Sequence, residues 1–185
     1  MGHIFIWAYE MSLVIHQATL KDVDFLLSLV INGARKGHFN TDLLRDKKTS
    51  RNLLSNIVTK GFDLGGRESY AYVSTYNSLK VGCVLLTASN TDDLGLELSA
   101  IAIKKEFQGH GFGSMLLKHI LAEWLPRRNI YARFLSKSDK AREMFKKVGF
   151  CYQRQLGEAE VYLHYRNSID LGIKVRAVGG VLSAG

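Results

Sequence analysis

The sequence has little cysteine and almost no proline. Its 185 residues include two cysteines, Cys83 and Cys151, and one proline, Pro126. Both cysteines stand in apolar, strand-like runs, which excludes a disulfide framework and the paired spacing of a zinc site. Free thiols are typical of a reducing compartment, so the sequence predicts a cytoplasmic protein that holds no metal.

Long hydrophobic runs are also absent. The apolar segment 1–10 is too short to cross a bilayer and lacks the basic region and cleavage site of a signal peptide. Met11 is a candidate start, and we set residues 1–10 aside as an N-terminal extension. The sequence therefore predicts no membrane association, one domain over residues 11–166, and a glycine-rich tail over residues 167–185.

Acidic residues are outnumbered by basic ones. Lys and Arg total 25 against 17 Asp and Glu, a formal net charge of +8. Such an excess is typical of proteins that bind polyanions. The basic residues are scattered, without a long basic run or interleaved aromatic residues, so a nucleic-acid partner is the less favoured interpretation. A small ligand that carries several phosphate groups explains part of the excess equally well.

Hydrophobic periodicity and turn residues predict an α/β chain. The predicted elements, in chain order, are a strand over 13–18, a helix capped at Thr19 and Asp22 that ends near Gly33, a helix from Asn40 or Thr41 to Gly61 with a break near 49–50, a hairpin of strands 68–75 and 79–89, a strand over 94–103, a helix ended by Pro126, a strand over 129–136, a helix capped by Ser138, and a hairpin of strands 150–156 and 160–165. Because a helix joins the strands 94–103 and 129–136, these two are predicted to be parallel.

The predicted strand 94–103 contains one unusual residue. Simple alternation assigns its residues to two faces, with Leu96, Leu98, Ala100 and Ala102 on one face and Glu97, Ser99, Ile101 and Ile103 on the other. A lone carboxylate between two leucines is rare in a strand that is apolar on both sides. Glu97 therefore either pairs with a nearby Arg or Lys or takes part in chemistry.

Three glycines at alternate positions, Gly109, Gly111 and Gly113, connect this strand to the next predicted helix. Without Cβ atoms the backbone can approach an anion closely, and a helix N-terminus adds amide donors and partial positive charge. A tight strand-to-helix corner explains the loop alone equally well. The Walker loop fits worse because Ser114 stands where its lysine is required, and the dinucleotide-binding loop lacks its last glycine and downstream acidic residue.

Gln108-x-x-Gly111-x-Gly113 resembles the (Arg/Gln)-x-x-Gly-x-(Gly/Ala) pyrophosphate loop of the GNAT superfamily of acyl-CoA-dependent N-acyltransferases. Glu97 stands eleven residues before Gln108, where the histone-acetylating branch of that family carries its general base. The segment 141–150 is similar to the family's Ala-x-x-x-Tyr-x-x-x-Gly-Phe pattern. The resemblance implies an α/β (α+β) fold: a mixed, mostly antiparallel sheet of about seven strands flanked by about four helices, with a central parallel pair that splays to admit CoA.

The resemblance also implies an N-acetyltransferase that moves an acetyl group from acetyl-CoA, its co-substrate, to a primary amine by direct attack in a ternary complex. Glu97 is the implied general base, since an amine with a pKa of about 10.4 must lose a proton before it attacks. The implied cofactor-binding residues are Ile101, Ala102, Ile103, Gln108, Gly109, His110, Gly111, Phe112, Gly113, Ser114, Ser138 and Phe145. The implied oxyanion donor is a backbone amide near Ile101, where the strand bulges and parts from its parallel neighbour. His38 and Phe39 lie in a connector implied to contact the acceptor.

The sequence departs from the family at Phe145, where a tyrosine commonly protonates the departing thiolate. A phenyl ring cannot donate a proton, so water, another hydroxyl such as that of Ser138, and unassisted departure all stay open. The alternative function is therefore a non-catalytic acyl-CoA-binding or sensing domain. The acceptor, a small molecule or a protein amine, and homodimer formation also stay open.

Overall fold

The computed structural model of the chain describes residues 13–36, 46–135 and 139–164. Within these ranges the backbone forms seven strands and four α-helices. In chain order they are β1 (Leu13–Gln17), α1 (Val23–Arg35), α2 (Lys47–Lys60), β2 (Ser69–Tyr76), β3 (Leu79–Ala88), β4 (Gly95–Ile103), α3 (Phe112–Trp124), β5 (Asn129–Leu135), α4 (Asp139–Lys147), β6 (Cys151–Leu156) and β7 (Ala159–His164).

All seven strands belong to one mixed sheet, in the order β1-β2-β3-β4-β5-β7-β6. β4 and β5 pair in parallel, and each of the other neighbouring pairs is antiparallel. The parallel pair follows from α3, because a helical crossover returns the chain to the end of the sheet where the preceding strand began. The predicted mixed sheet with a central parallel pair is therefore confirmed.

The helix starts follow their capping residues. Thr19 and Asp22 form the predicted capping box, which leads through a 3-10 turn into α1. α2 begins with Asp46 as its N-cap, whose carboxylate accepts from the Lys48 and Thr49 amides at 3.0 and 2.9 Å. The Thr49 hydroxyl also donates to Asp46, at 2.6 Å, so it strengthens the cap instead of competing with the helix. The break predicted near residues 49–50 is therefore wrong, and the predicted start at Asn40 or Thr41 lies outside the described residues.

The helices cover both faces of the sheet and form two hydrophobic cores. Under α3 and α4 lies one core, whose fully buried members include Leu96, Leu116, Leu117, Ile120 and Ile130. Under α1 and α2 lies the other, whose fully buried members include Leu26, Val30, Leu54, Val73 and Cys83. Each buried aliphatic side chain of this size contributes about 1.5–3 kcal/mol, so the two layers hold the centre of the sheet from both sides.

Other element boundaries differ little from the prediction. α1 continues past Gly33 to Arg35, and α3 ends at Trp124, two residues before Pro126. The turn between β2 and β3 contains Asn77 and Ser78 with φ of 48° and 63°, the left-handed pair of a tight hairpin. None of the helices in the described ranges has the length and hydropathy needed to cross a membrane.

Candidate active site

β4 and β5 pair only along their first halves. Their parallel register stops at the pair Leu98–Ala132, although β4 continues to Ile103 and β5 to Leu135. Beyond this pair the two strands lie apart, and the peptide groups on their facing edges have no partner in the described sheet. The sheet therefore opens into a cleft, as the predicted splay of the parallel pair requires.

A β-bulge at Ser99 lies where the strands separate. Two consecutive β3 residues pair with Leu98 and Ala100, so Ser99 has no residue opposite it. The extra residue reverses the alternation: Leu98 and Ile101 pack in the α3–α4 core, whereas Ala100 packs in the α1–α2 core. The predicted single alternation of strand 94–103 is therefore wrong beyond Leu98, because a period of two contains no signal for an inserted residue.

The main chain of β4 turns alternate peptide groups toward the cleft. The Lys104 amide donates to the Val81 carbonyl at 2.8 Å, so Lys104 faces β3. By strand alternation Ile101 and Ile103 turn their N–H and C=O groups the other way, into the cleft. The Ile103 carbonyl follows this rule, since it accepts a hydrogen bond from Gln108 Nε2 at 2.8 Å. An extended ligand can bond to this edge as a further strand would.

The glycine loop, residues 108–114, leads from this edge into α3. Gly109 and Gly111 have φ of 85° and 80°, the left-handed conformation that side chains disfavour. A methyl group added at either position meets no protein atom within 4 Å, so the space in front of the loop is open. Gly111 is the N-cap of α3, and the amides of the first helical turn have no partner within the helix. The loop therefore presents N–H donors and the positive end of the helix dipole to the cleft.

Aromatic side chains hold the glycine loop against the sheet. The Phe112 ring lies 4.9 Å from the ring of Tyr76 on β2. The exposed His110 ring stacks on the Phe112 ring at a centroid distance of 6.0 Å and an interplanar angle of 24°. His110 Nδ1 is 3.0 Å from the Gln108 carbonyl oxygen. These contacts give His110 a packing role on the outer surface of the loop.

The cleft between β4, β5, α3 and α4 has a volume of about 960 Å³. Most of the residues that the resemblance assigned to a cofactor line it, namely Ile101, Ile103, Gln108, Gly109, Gly111, Phe112, Gly113, Ser114 and Phe145. Of the others, Ala102 packs against the α1–α2 core and His110 lies outside the lining. Ser138, like the predicted acceptor contacts His38 and Phe39, lies outside the described residues.

The cleft reaches both faces of the sheet. Met144 and Phe145 of α4 line it on one face, and Lys36 at the end of α1 lines it on the other. Arg133 of β5 belongs to the α1 side as well, because its neighbours Ala132 and Phe134 point into the α3–α4 core. Two ligands can therefore enter from opposite faces and meet in the gap between β4 and β5.

Glu97 lies beside this gap on the α1 side. Its Oε2 is 3.2 Å from Arg133 Nη2, and the two side chains are 28% and 46% exposed. The predicted pairing of Glu97 with a nearby Arg or Lys is therefore confirmed, and the partner is Arg133. A partly exposed ion pair contributes about 1 kcal/mol or less. Such a pair leaves Glu97 able to exchange Arg133 for another cation.

Phe145 forms part of the apolar wall of the cleft. The side chain is buried, and its ring stacks on that of Phe134 at a centroid distance of 5.2 Å. The described lining contains two hydroxyl groups, those of Ser99 and Ser114. The Ser99 hydroxyl donates to Thr87 Oγ1 at 2.9 Å, whereas the Ser114 hydroxyl lies within the glycine loop.

Two other chemistries find no support. Cys83 is fully buried, and burial raises the pKa of its thiol to about 12, so it forms no thiolate nucleophile at neutral pH. Across the described ranges no group of three or more His, Cys, Asp or Glu side chains is placed to hold a metal ion.

Sequence reasoning missed the two cations of the cleft, Lys36 and Arg133. Arg133 carried a weak signal, since it is a charged residue within a predicted strand that is otherwise mostly apolar. Only the parallel register places it next to Glu97, 36 residues away. Lys36 lies in the connector, residues 35–40, that the resemblance implied to contact the acceptor, but its place in the cleft depends on how α1 packs on the sheet.

The chain resembles known proteins both in sequence, through a family model, and in structure. Residues 67–151, from just before β2 to the start of β6, match a family model described as an acetyltransferase (GNAT) domain. No curated protein sequence matches the chain.

Solved structures share the fold at low sequence identity. An acetyltransferase from Thermus thermophilus has a TM-score of 0.64 and 20% identity, over 83% of this chain and 96% of that one. PaiA N-acetyltransferase from Thermoplasma acidophilum, solved in complex with coenzyme A, has a TM-score of 0.65 and 14% identity, over 84% and 99%. A variant of SpeG spermidine N-acetyltransferase from Vibrio cholerae has a TM-score of 0.66 and 17% identity, over 84% and 95%.

Proposed function

Because the chain belongs to the GNAT superfamily of acyl-CoA-dependent N-acyltransferases, we propose that it transfers the acetyl group of acetyl-CoA to a primary amine by direct attack in a ternary complex. Glu97 is the proposed general base. The observation that carries the proposal is the cleft: it runs from the glycine loop to the gap between β4 and β5, and Glu97 lies beside that gap.

The glycine loop fits the diphosphate of CoA. The amides of residues 109–114 and the N-terminus of α3 offer hydrogen bonds and positive potential, and hydrogen bonds to a charged phosphate are stronger than neutral ones. Gly109 and Gly111 keep the approach free of side chains. The Ile101 carbonyl and the peptide groups of Ile103 bond to the amide groups of the pantetheine arm. Acetyl-CoA bound in this way supplies an activated thioester carbonyl at the gap in the sheet.

Glu97 accepts the proton that the acceptor must lose. An alkyl ammonium with a pKa of about 10.4 keeps its proton at neutral pH and has no lone pair with which to attack. Glu97 reaches an amine in the gap directly or through one water. The positive charge of the incoming acceptor replaces that of Arg133 beside the carboxylate, so the ion pair with Arg133 opens when the acceptor binds.

The Ile101 amide is the proposed donor to the carbonyl oxygen, because it faces the gap where negative charge develops. Phe145 supplies no proton to the departing thiolate. A thiol with a pKa near 8.5 is a good leaving group, so the thiolate takes its proton from water or from the Ser114 hydroxyl.

Turnover measured by release of the free CoA thiol tests the proposal. Glu97→Gln keeps the size of the side chain and removes its basicity, so we expect kcat to fall about 100- to 10,000-fold with an unchanged Kd for acetyl-CoA. Glu143→Gln, an exposed position on α4, is the matched control and should keep wild-type kcat.

A protein that binds acetyl-CoA but acetylates no member of an amine panel would contradict catalysis. That outcome would favour the alternative, a non-catalytic acyl-CoA-binding domain, which Phe145 supports because the ring cannot act as an acid. A variant at Glu97 with wild-type kcat would leave the transferase function standing and remove Glu97 as the base.

A further inference from the structure

Glu97 and Arg133 place opposite charges side by side at the end of the cleft where an acceptor enters. Their closest atoms, Glu97 Oε2 and Arg133 Nη2, are 3.2 Å apart, and both side chains reach solvent. The guanidinium of Arg133 carries five N–H donors. Among the described residues, it donates a hydrogen bond to Glu97 alone. The remaining donors of Arg133 are therefore available to a ligand.

The charges of this region favour an acceptor with a negative group of its own. Among the described residues, two cations, Lys36 and Arg133, line the cleft on the α1 side, and one carboxylate, that of Glu97, lies beside them. The other carboxylate of the described lining, Asp139, belongs to α4 and is paired with Arg142. A polyamine would bring several further positive charges to two cations, which is unfavourable in a partly enclosed site. An acceptor that carries a carboxylate next to its amine is attracted instead.

We infer that the acceptor is a free α-amino acid, whose carboxylate binds Arg133 while its amine faces Glu97. This inference rests on the acetyltransferase activity proposed above. Arginine presents a planar fork that pairs with a carboxylate through two parallel hydrogen bonds, so it fixes the orientation of the acceptor as well as its position. The zwitterion exchanges one ion pair within the protein, Glu97–Arg133, for two between protein and ligand.

The resulting reaction balances. The acceptor ammonium gives one proton to the Glu97 carboxylate, the free amine forms an N–C bond with the thioester carbon, and the C–S bond breaks. The second amine proton is lost as the amide forms, and the thiolate takes up a proton. The sum is an N-acetyl amino acid, CoA thiol and one proton released to solvent.

Matched acceptors test the inference in the wild-type protein. The twenty common L-amino acids are compared with their amides and with the amines that lack the carboxyl group, by thiol release at saturating acetyl-CoA. We expect kcat/KM of the best amino acid to exceed that of its amide about 10- to 100-fold, through a lower KM, because a hydrogen-bonded charge pair is lost in the amide.

Arg133→Met removes the charge and keeps the length of the side chain. We expect it to bring the ratio of kcat/KM between amino acid and amide close to one, and Arg133→Lys to restore part of the ratio. Arg51→Met is the matched control, because Arg51 is 48% exposed, is paired with Asp24 on α1, and lies outside the cleft. It should keep the wild-type ratio, and thermal melting checks that each variant folds.

Three outcomes would overturn the inference. Equal turnover of amino acids and their amides, or a preference for the amines that lack the carboxyl group, would remove the amino-acid acceptor and leave the transferase function intact. An equal loss with acid and amide in Arg133→Met would make Arg133 a residue that positions Glu97 and does not bind the acceptor. Absence of turnover with every acceptor would overturn the proposed function itself.

Discussion

Gly111 provides a sharp test of the proposed diphosphate site, because Gly61 is a matched control in the same chain. Gly111 is the N-cap of α3 and Gly61 is the C-cap of α2, with φ of 80° and 75°. A methyl group added to either glycine meets no protein atom within 4 Å. Replacement by alanine therefore costs only backbone strain, about 1–2 kcal/mol in each case. For a chain of this length we expect both variants to melt about 2–8 °C below wild type.

The two alanine variants should differ in their affinity for CoA. Gly111 lines the cleft and Gly61 does not. A methyl group at Gly111 enters the space before the first-turn amides of α3, and the loss of one charge-assisted hydrogen bond, worth about 1.5–3 kcal/mol, weakens binding about 10- to 100-fold. Titration calorimetry with CoA measures the Kd of both variants. If Gly111→Ala binds CoA as tightly as Gly61→Ala at equal loss of stability, the diphosphate does not bind this loop.

Three other measurements probe the fold and the leaving group. The Asp22 carboxylate is 4% exposed and lies 2.6 Å from its cation, Lys80 Nζ. Lys80→Met removes that cation and should lower the free energy of unfolding, measured by urea titration, by about 2–3 kcal/mol. An unchanged urea midpoint would contradict this expectation. Burial acts to raise the pKa of Asp63, but hydrogen bonds from the Arg67 backbone and side chain lower it below its usual value. Its contribution to stability is therefore complete above about pH 4 and lost as the pH falls through the lowered pKa, and Asp63→Asn should show a shallower loss of stability below about pH 4. Phe145→Tyr adds a proton donor at the cleft and should raise kcat less than about tenfold, because a thiolate leaves readily unassisted; a hundredfold rise in the thiol assay would show that protonation limits the reaction.

Local sequence was sufficient for most of the fold. Thr19 and Asp22 predicted the start of the first helical segment, and Gly61 predicted the end of α2, where it adopts the expected left-handed φ of 75°. These signals are readable because capping and turn residues act on neighbours within a few positions. The break predicted near residues 49–50 is wrong because of another local interaction. The Thr49 hydroxyl donates to the N-cap Asp46 and so stabilises the first turn of α2.

By itself, the sequence determined the succession of strands and helices along the chain and the glycine loop before α3. It also identified two residues, Glu97 and Gln108, whose spacing resembles the family motif. The resemblance implied a bulge and a parting of the parallel strands, but tertiary structure decided their positions, at Ser99 and after the pair Leu98–Ala132. It alone decided the contact between Glu97 and Arg133. Each of these depends on pairing between segments far apart in the chain. Hydrophobic periodicity and capping are local patterns, so they contain no information on which residues of two distant strands end side by side.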